Sequence, residues 1–140
     1  MRHSLHHISL ETQGAIEFVD VTERVRSACA ESGIRDGLAT VYTTHTTAGV
    51  KINERCDRLQ RDMRDFLEQV VPAGDYRHDE DTVDGRPNGQ GHLMALLMGA
   101  SETIPVCGGK LMLGKWQSIF FLQLDGPRKE RQVTVRIVGE

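Results

Sequence analysis

The chain has 140 residues, a length that suits one domain over residues 1–140. Its net charge is −3 with both signs mixed along the chain, whereas nucleic-acid-binding proteins carry a basic face. No apolar run approaches the roughly 20 residues that span a bilayer, and the N-terminus lacks a signal-peptide core. We therefore expect a cytoplasmic protein that binds neither nucleic acid nor a membrane, with its three scattered cysteines reduced.

The first third of the chain predicts three strands and one helix. Apolar and polar residues alternate over residues 4–11, and a second strand is predicted over 16–19. A helix is predicted over 23–32, where Gly33 would end it. Residues 38–45 are rich in β-branched side chains, which favours the next strand.

The middle of the chain predicts a strand, two helices and a long loop. Residues 50–53 complete a short strand, and Asn53 is a candidate N-cap for the helix that follows. An apolar stripe typical of an amphipathic helix is formed by Leu59, Met63, Phe66, Leu67 and Val70. Residues 73–91 are polar and without periodicity, and loops of this length in a compact domain tend to be functional or disordered. Asn88 is a candidate N-cap for a short helix that runs through 93–98.

The last third predicts only strands. They cover residues 104–107, 110–113, 117–124 and 132–138, with Gly108-Gly109 as a hairpin turn. The chain order is therefore strands, helix, strands, helix, loop, helix and strands. This order predicts an α+β domain, a sheet or sandwich with its helices gathered on one side.

Three of the six histidines stand where a predicted strand or loop ends. His45 ends a strand, His78 lies in the long loop, and His92 follows a glycine-rich stretch. Three imidazoles with a fourth position open are a common site for a catalytic divalent metal. Their spacings match no helical or zinc-finger motif, so the alternative is three unrelated loop histidines.

Hydroxyl and carboxylate side chains crowd the stretch after His45. Thr46 and Thr47 offer hydroxyls there, although threonine is common in strands for steric reasons. Glu54 and Asp57 are three residues apart and would share a helix face. They could serve a site or only suit the positive end of the helix dipole.

The remaining candidates lie further along the chain. Asp79 could accept the N–H of His78, or could only keep the loop soluble. Arg128 and Arg131 could hold a phosphate group by bidentate contacts, or could form a charged hairpin tip. Gln117 could face a pocket at the start of an apolar strand.

Four segments together resemble the YjbQ family, whose activity is described as secondary thiamine-phosphate synthase. They are THTTAGVKINERCD (44–57), the run that ends at His78-Asp79, PNGQGHL (87–93) and GKLMLGKWQSIFFLQLDGPR (109–128). The segments follow one another in order and span most of the chain.

The resemblance implies a β/β/α layered fold that assembles as a homotrimer. It also implies a metal site at His45, His78 and His92, for which zinc is the first expectation and magnesium the second. On this basis, the expected catalytic residues are Glu54, Asp57 and Arg128. The expected substrate-binding residues are Thr46, Thr47, Asn53, Asn88 and Gln117.

The resemblance further implies a transferase that joins a pyrimidine pyrophosphate to a thiazole phosphate, so its substrate would be a phosphorylated small molecule. A divalent ion and Arg128 could stabilise the departing pyrophosphate. One alternative is a metal-dependent phosphohydrolase with the same histidines and an activated water. Another is a non-catalytic trimer whose pocket binds a metabolite.

Two positions depart from the family pattern. Many relatives carry a histidine where this chain has Gln90, and a glutamate where it has Gln123. An amide is a poor metal ligand and cannot serve as a general base. Either replacement would weaken a site that needed the family residue.

Overall fold

Eight strands and three helices are formed by residues 1–140 in the computed structural model, which describes the whole chain. The strands are β1 (Arg2–Thr12), β2 (Glu17–Asp20), β3 (Gly37–Tyr42), β4 (Ala48–Asn53), β5 (Ser101–Cys107), β6 (Lys110–Leu111), β7 (Ser118–Gln123) and β8 (Arg128–Gly139). The helices are α1 (Thr22–Ser32), α2 (Asp57–Val70) and α3 (Gly89–Met98), and a short 3-10 turn covers Arg77–Asp79. None of the helices has both the length and the apolar character required to cross a membrane.

The strands form two antiparallel sheets. The larger sheet has five strands in the order β1-β8-β3-β5-β6, and the smaller has three in the order β2-β7-β4. The long β1–β8 pair sets the register of the larger sheet, with Ile8 opposite Val133 on its buried face. In the smaller sheet, β7 lies between two partners, and nearly all of its side chains are buried.

Strand β7 separates two hydrophobic clusters. Side chains alternate between the two faces of a strand, so Ile119 and Phe121 point into the larger cluster, which both sheets and α1 share. Phe120 and Leu122 point into the smaller cluster with residues of α2 and α3. These contacts confirm the expected α+β fold and its β/β/α layers. Helix α1 differs from the other helices because its buried side chains belong to the larger cluster.

Helix α3 begins where the sequence predicts, whereas α2 begins later than predicted. Helix α2 begins at Asp57, because Asn53 remains in β4 and its Oδ1 accepts the N–H of Glu54. Helix α3 begins at Gly89, directly after the candidate cap Asn88, whose side chain makes no capping hydrogen bond to the helix. The carboxylate of Asp79 instead accepts the N–H of Gly89 at 2.8 Å and so stabilises this start.

Glycines allow α3 to lie directly against the end of β7. A Cβ atom on Gly91 would lie 2.8 Å from the carbonyl oxygen of Leu124, which is too close for any other residue without movement. This contact holds the first turn of α3, with Asn88 and His92, beside the turn that follows β7.

We expect Gly91→Ala to lower the free energy of unfolding by about 1–3 kcal/mol, because α3 must move away from Leu124. The loss should appear although alanine is the better helix former. Denaturant unfolding measures the change. Gly74→Ala is the control, since a Cβ there would meet nothing within 4 Å, and it should change stability by less than about 0.5 kcal/mol. Equal stability of Gly91→Ala and the unaltered chain would contradict the close approach.

Candidate functional site

A cavity of about 540 Å³ brings together four separate parts of the chain. They are the loop between β3 and β4, the long loop before α3, the start of α3 and the start of β8. Among the residues expected to form the site, those that line the cavity are His45, His78, His92, Thr46, Thr47, Asn88 and Arg128. Arg131 and the exposed carboxylates Asp81 and Asp84 line it as well.

The structure does not bring Asn53, Glu54, Asp57 and Gln117 into this cavity. Strand β4 leads away from it, and the five steps from Ala48 to the end of the strand cover roughly 16 Å. Asp57 and Gln117 line a separate groove, and Asn53 borders a small apolar pocket. Residues 43–57 therefore do not form one continuous wall, and the roles expected of these four residues stay predictions.

His45 offers a hydrogen-bond donor to the cavity. The backbone N–H of Gln132 donates to its Nε2 at 3.0 Å. Because a backbone N–H can only donate, Nε2 must carry the lone pair, and the proton of a neutral His45 lies on Nδ1. Burial lowers the pKa of His45, and the positive charges of Arg131 and Arg128 lower it further, against the opposing charge of Asp125. The neutral ring is therefore favoured.

His78 and His92 form a pair on the helical side of the cavity, with ring centroids 4.6 Å apart. Nε2 of His78 lies 3.0 Å from Oδ1 of Asn88, and Nδ2 of Asn88 donates to Asp125 at 2.8 Å. Since the amide nitrogen donates to a carboxylate, Oδ1 is the acceptor and His78 donates from Nε2. A neutral His78 then keeps its lone pair on Nδ1. The ring of His92 makes no hydrogen bond within the chain.

Asp125 lies at the centre of the polar network, although the sequence did not single it out. Its side chain is 5% exposed and accepts hydrogen bonds from Asn88, Gln123, Arg128 and Arg131. Burial alone would raise the pKa of Asp125. Hydrogen bonds from Arg128 and Asn88, together with the charge of Arg131, more than reverse this and hold the pKa far below its usual range. The carboxylate is therefore ionised and fixes both guanidinium groups.

The two arginines keep unused donors. Arg128 donates to Asp125 from Nε and Nη2. Arg131 donates from Nε to Gln123 at 2.9 Å, and from Nη2 to Thr47 at 2.8 Å and to Asp125. Nη1 of each arginine donates to no group of the chain, and both residues line the cavity. Two guanidinium groups contact the single carboxylate of Asp125, so the charge at this place is positive on balance and suits an oxyanion such as phosphate. The exposed Asp81 and Asp84 bring negative charge only to the loop that lines another part of the cavity.

The two family departures have different consequences in the structure. Gln90 donates from Nε2 to the carbonyl of Val71 at 2.9 Å, so its side chain packs against the end of α2. Gln123 is fully buried and bridges two charged groups, with Oε1 accepting from Arg131 and Nε2 donating to Asp125. The amide at 123 suits this bridge because it can donate and accept at once.

The three imidazoles do not present three lone pairs to one point. No group of three or more His, Cys, Asp or Glu side chains is placed to hold a metal ion. His45 could join His78 and His92 as a ligand only by giving up the hydrogen bond from Gln132. The donor set, as folded, does not fit the expected three-histidine site, and the zinc or magnesium ion stays a prediction.

A family model described as UPF0047 protein YjbQ-like matches residues 6–140. The chain belongs to the YjbQ family. A UPF0047 protein of Archaeoglobus fulgidus is 45% identical over 127 residues, which cover 90% of this chain and 95% of the relative. The UPF0047 protein YugU of Bacillus subtilis is 35% identical over 137 residues, which cover 96% of this chain and 99% of the relative.

Solved structures of other YjbQ-family members share this fold. A YbjQ-like protein of unknown function from Sulfolobus solfataricus is similar with a TM-score of 0.94 and 35% identity, over 99% of both chains. An uncharacterised family protein from Clostridium acetobutylicum has a TM-score of 0.85 and 44% identity, over 95% of this chain and 99% of its own. The names of these relatives specify no substrate, so function has to be argued from the cavity.

In this YjbQ-family chain, we expect Asp125→Asn to lower the free energy of unfolding by about 3–5 kcal/mol at pH 7, because Arg131 is left charged and buried. The side chain of Arg131 is 5% exposed. Denaturant unfolding measures the loss. Asp81→Asn is the control, since that carboxylate is exposed and makes no hydrogen bond within the chain, and it should cost less than about 0.5 kcal/mol.

The effect of Asp125→Asn should shrink in acid. Because the pKa of Asp125 is lowered on folding, its charge stabilises the fold above the ordinary carboxyl pKa of about 3.9. This stabilisation is lost as the pH falls toward the lowered pKa. The unaltered chain should therefore lose more stability than Asp125→Asn between about pH 4 and pH 2. Identical acid dependence of the two proteins would count against the ion pair.

Proposed function

We propose that the cavity binds a phosphorylated small molecule and promotes the departure of its pyrophosphate group in a transfer reaction. The observation that carries the proposal is the pair Arg128 and Arg131, held by Asp125 with one Nη1 group each unused. Arginine is suited to phosphate recognition because its planar donors match the phosphate oxygens. The cavity volume of about 540 Å³ lies within the usual range for small-molecule sites.

The reaction that the family resemblance favours is the joining of a pyrimidine pyrophosphate to a thiazole phosphate. The thiazole nitrogen attacks the methylene carbon of the pyrimidine, a C–N bond forms, and the C–O bond to pyrophosphate breaks. The bonding electrons leave with the pyrophosphate oxygen, where Arg128 and Arg131 would stabilise the growing negative charge. The nitrogen is already a nucleophile, so the protein has no strong base to supply.

A phosphohydrolase is the second candidate, and His92 is the observation that favours it. Its ring makes no hydrogen bond within the chain and lines the cavity, so it is free to accept a proton from water. The water oxygen would bond to phosphorus as the bond to the leaving oxygen breaks. The leaving group would then take up the proton. A non-catalytic site for a phosphorylated metabolite would use the same arginines without either step.

We expect the purified protein to form thiamine phosphate and pyrophosphate from the two precursors, followed by phosphorus NMR. Arg128→Gln should lower the turnover by about 100- to 1000-fold, the usual effect of removing one donor from developing charge. The matched control is Arg136→Gln, which alters an exposed arginine on β8 that lines none of the cavities described. Its turnover should equal that of the unaltered chain.

Other outcomes of this assay separate the candidates. Phosphate release without thiamine phosphate would favour the phosphohydrolase. Pyrophosphate binding without any product would favour the metabolite-binding protein. Arg128→Gln with full activity and full pyrophosphate affinity would contradict the proposal.

The divalent metal also remains a proposal, supported by the resemblance and by the lone pairs of His78 and His92. We expect about one zinc ion per chain in protein purified without a histidine tag. His92→Ala should remove it, whereas His3→Ala, on the exposed start of β1, should not. Elemental analysis measures the content, and protein that stays empty after zinc is added would contradict the site. No step proposed for the reaction depends on this ion.

The homotrimer is proposed from the resemblance as well. Leu5, Leu38 and Tyr42 are each about half exposed on the outer face of the five-stranded sheet. Exposed apolar side chains on one face are a common feature of subunit interfaces. This face therefore offers a surface that another copy of the chain could cover.

A further inference from the structure

The backbone of Gln132 fixes both the position of the His45 ring and the ring nitrogen that carries its proton. Its N–H donates to Nε2 of His45 at 3.0 Å. Its carbonyl oxygen accepts the hydroxyl proton of Thr43 at 3.1 Å, and that hydroxyl in turn accepts the N–H of His45 at 3.4 Å. Thr43 is 1% exposed. A single residue of β8 therefore holds both the His45 ring and the Thr43 hydroxyl in place.

The ring has little freedom to turn out of this clamp. It packs edge-to-face with the buried Phe121, with ring centroids 6.4 Å apart. Rotating the imidazole by half a turn would leave the Gln132 N–H without its acceptor. A proton on Nε2 would bring two N–H donors, that of Gln132 and that of the ring, together without an acceptor. In this position, His45 can offer a ligand only the N–H at Nδ1, which donates to no group of the chain.

The cavity consequently has two chemically different sides. The strand side carries the N–H donors at Nδ1 of His45 and at the unused Nη1 groups of Arg128 and Arg131, beside threonine hydroxyls that can donate or accept. The helical side carries lone pairs, on Nδ1 of His78 and on the free ring of His92. Anions are bound by donors and metal ions by lone pairs, so the two sides suit different ligands.

We propose that His45, Arg128 and Arg131 form a phosphoryl-binding subsite, in which His45 donates a hydrogen bond from Nδ1 and is not a metal ligand. The ligand class, a phosphate or pyrophosphate group, rests on the proposed function, whereas the donor state of His45 follows from its contact with Gln132. Any metal held by the cavity then depends on His78 and His92 and not on His45.

The proton on His45 can be observed directly in the unaltered protein. Long-range nitrogen–proton NMR correlations distinguish a ring protonated at Nδ1 from one protonated at Nε2. We expect the proton on Nδ1 in the ligand-free chain near neutral pH. A proton on Nε2 would overturn the proposal, whatever the protein is found to catalyse.

Binding of inorganic pyrophosphate, measured by calorimetry, tests the subsite. His45→Ala removes the donor and should weaken binding by about 10- to 100-fold, the effect of losing a hydrogen bond to a charged group. His45→Asn places an amide N–H close to the position of Nδ1 and should restore most of the affinity. His3→Ala is the matched control and should bind as the unaltered chain does.

Zinc titration of the same variants distinguishes a donor from a metal ligand. The proposal expects His45→Ala to bind zinc as the unaltered chain does, and loss of zinc binding in that variant would overturn it. Unchanged pyrophosphate affinity in His45→Ala, or no pyrophosphate binding by the unaltered chain, would also overturn the subsite. Pyrophosphate binding that depends on His45 without any turnover would support the subsite and contradict the transferase reaction instead.

Discussion

The buried ion pair between Asp125 and Arg131 is the interaction on which the cavity depends. Each side chain is 5% exposed, and two charges in such a place are tolerated only when their remaining donors and acceptors are also satisfied. Gln123 and Thr47 accept hydrogen bonds from the arginine, which leaves only its Nη1 for the cavity, and Asn88 donates to the carboxylate. Because these partners come from β7, from the loop after β3 and from the start of α3, the ion pair holds three parts of the fold together.

The same pair determines what the cavity can bind. Asp125 neutralises one of its two arginines, and an incoming anion would neutralise the other. Since the guanidinium groups are already oriented, little reorganisation is needed when an anion binds, which is the condition for effective electrostatic stabilisation of a leaving group. The clamped ring of His45 adds a neutral donor to the same side. A neutral donor strengthens binding without adding a charge that would repel Arg131.

Much of the fold could be predicted from periodicity. The apolar run of β7 and the stripe of α2 are long, regular patterns, and the structure has a strand and a helix at those places. The grouping of His45, His78 and His92 in one cavity was expected from the family resemblance and not from their spacing. The sequence analysis did not identify Asp125 because aspartate is common in turns, where its side chain bonds to the nearby backbone. Its partner Asn88 is also distant in the chain.

Other features of the site that the sequence analysis did not predict also have physical causes. The position of the His45 ring depends on a backbone N–H, and a sequence does not show which backbone group a given side chain will contact. Residues after Ala48 were expected beside His45 because they are close in the chain, but an extended strand carries them away. The position of Gln90 could have been predicted from helix geometry. Asn88 and His92 are four residues apart and share a face, so the residue midway between them faces elsewhere. That inference follows from Asn88 as the cap residue of α3.

A crystal structure of the chain with pyrophosphate at saturating concentration tests the central claim most directly. We expect pyrophosphate oxygens within hydrogen-bond distance of Nη1 of Arg128, Nη1 of Arg131 and Nδ1 of His45. Pyrophosphate bound only in the groove lined by Arg61 and Arg64, with no anion at the arginines that Asp125 holds, would contradict the anion site.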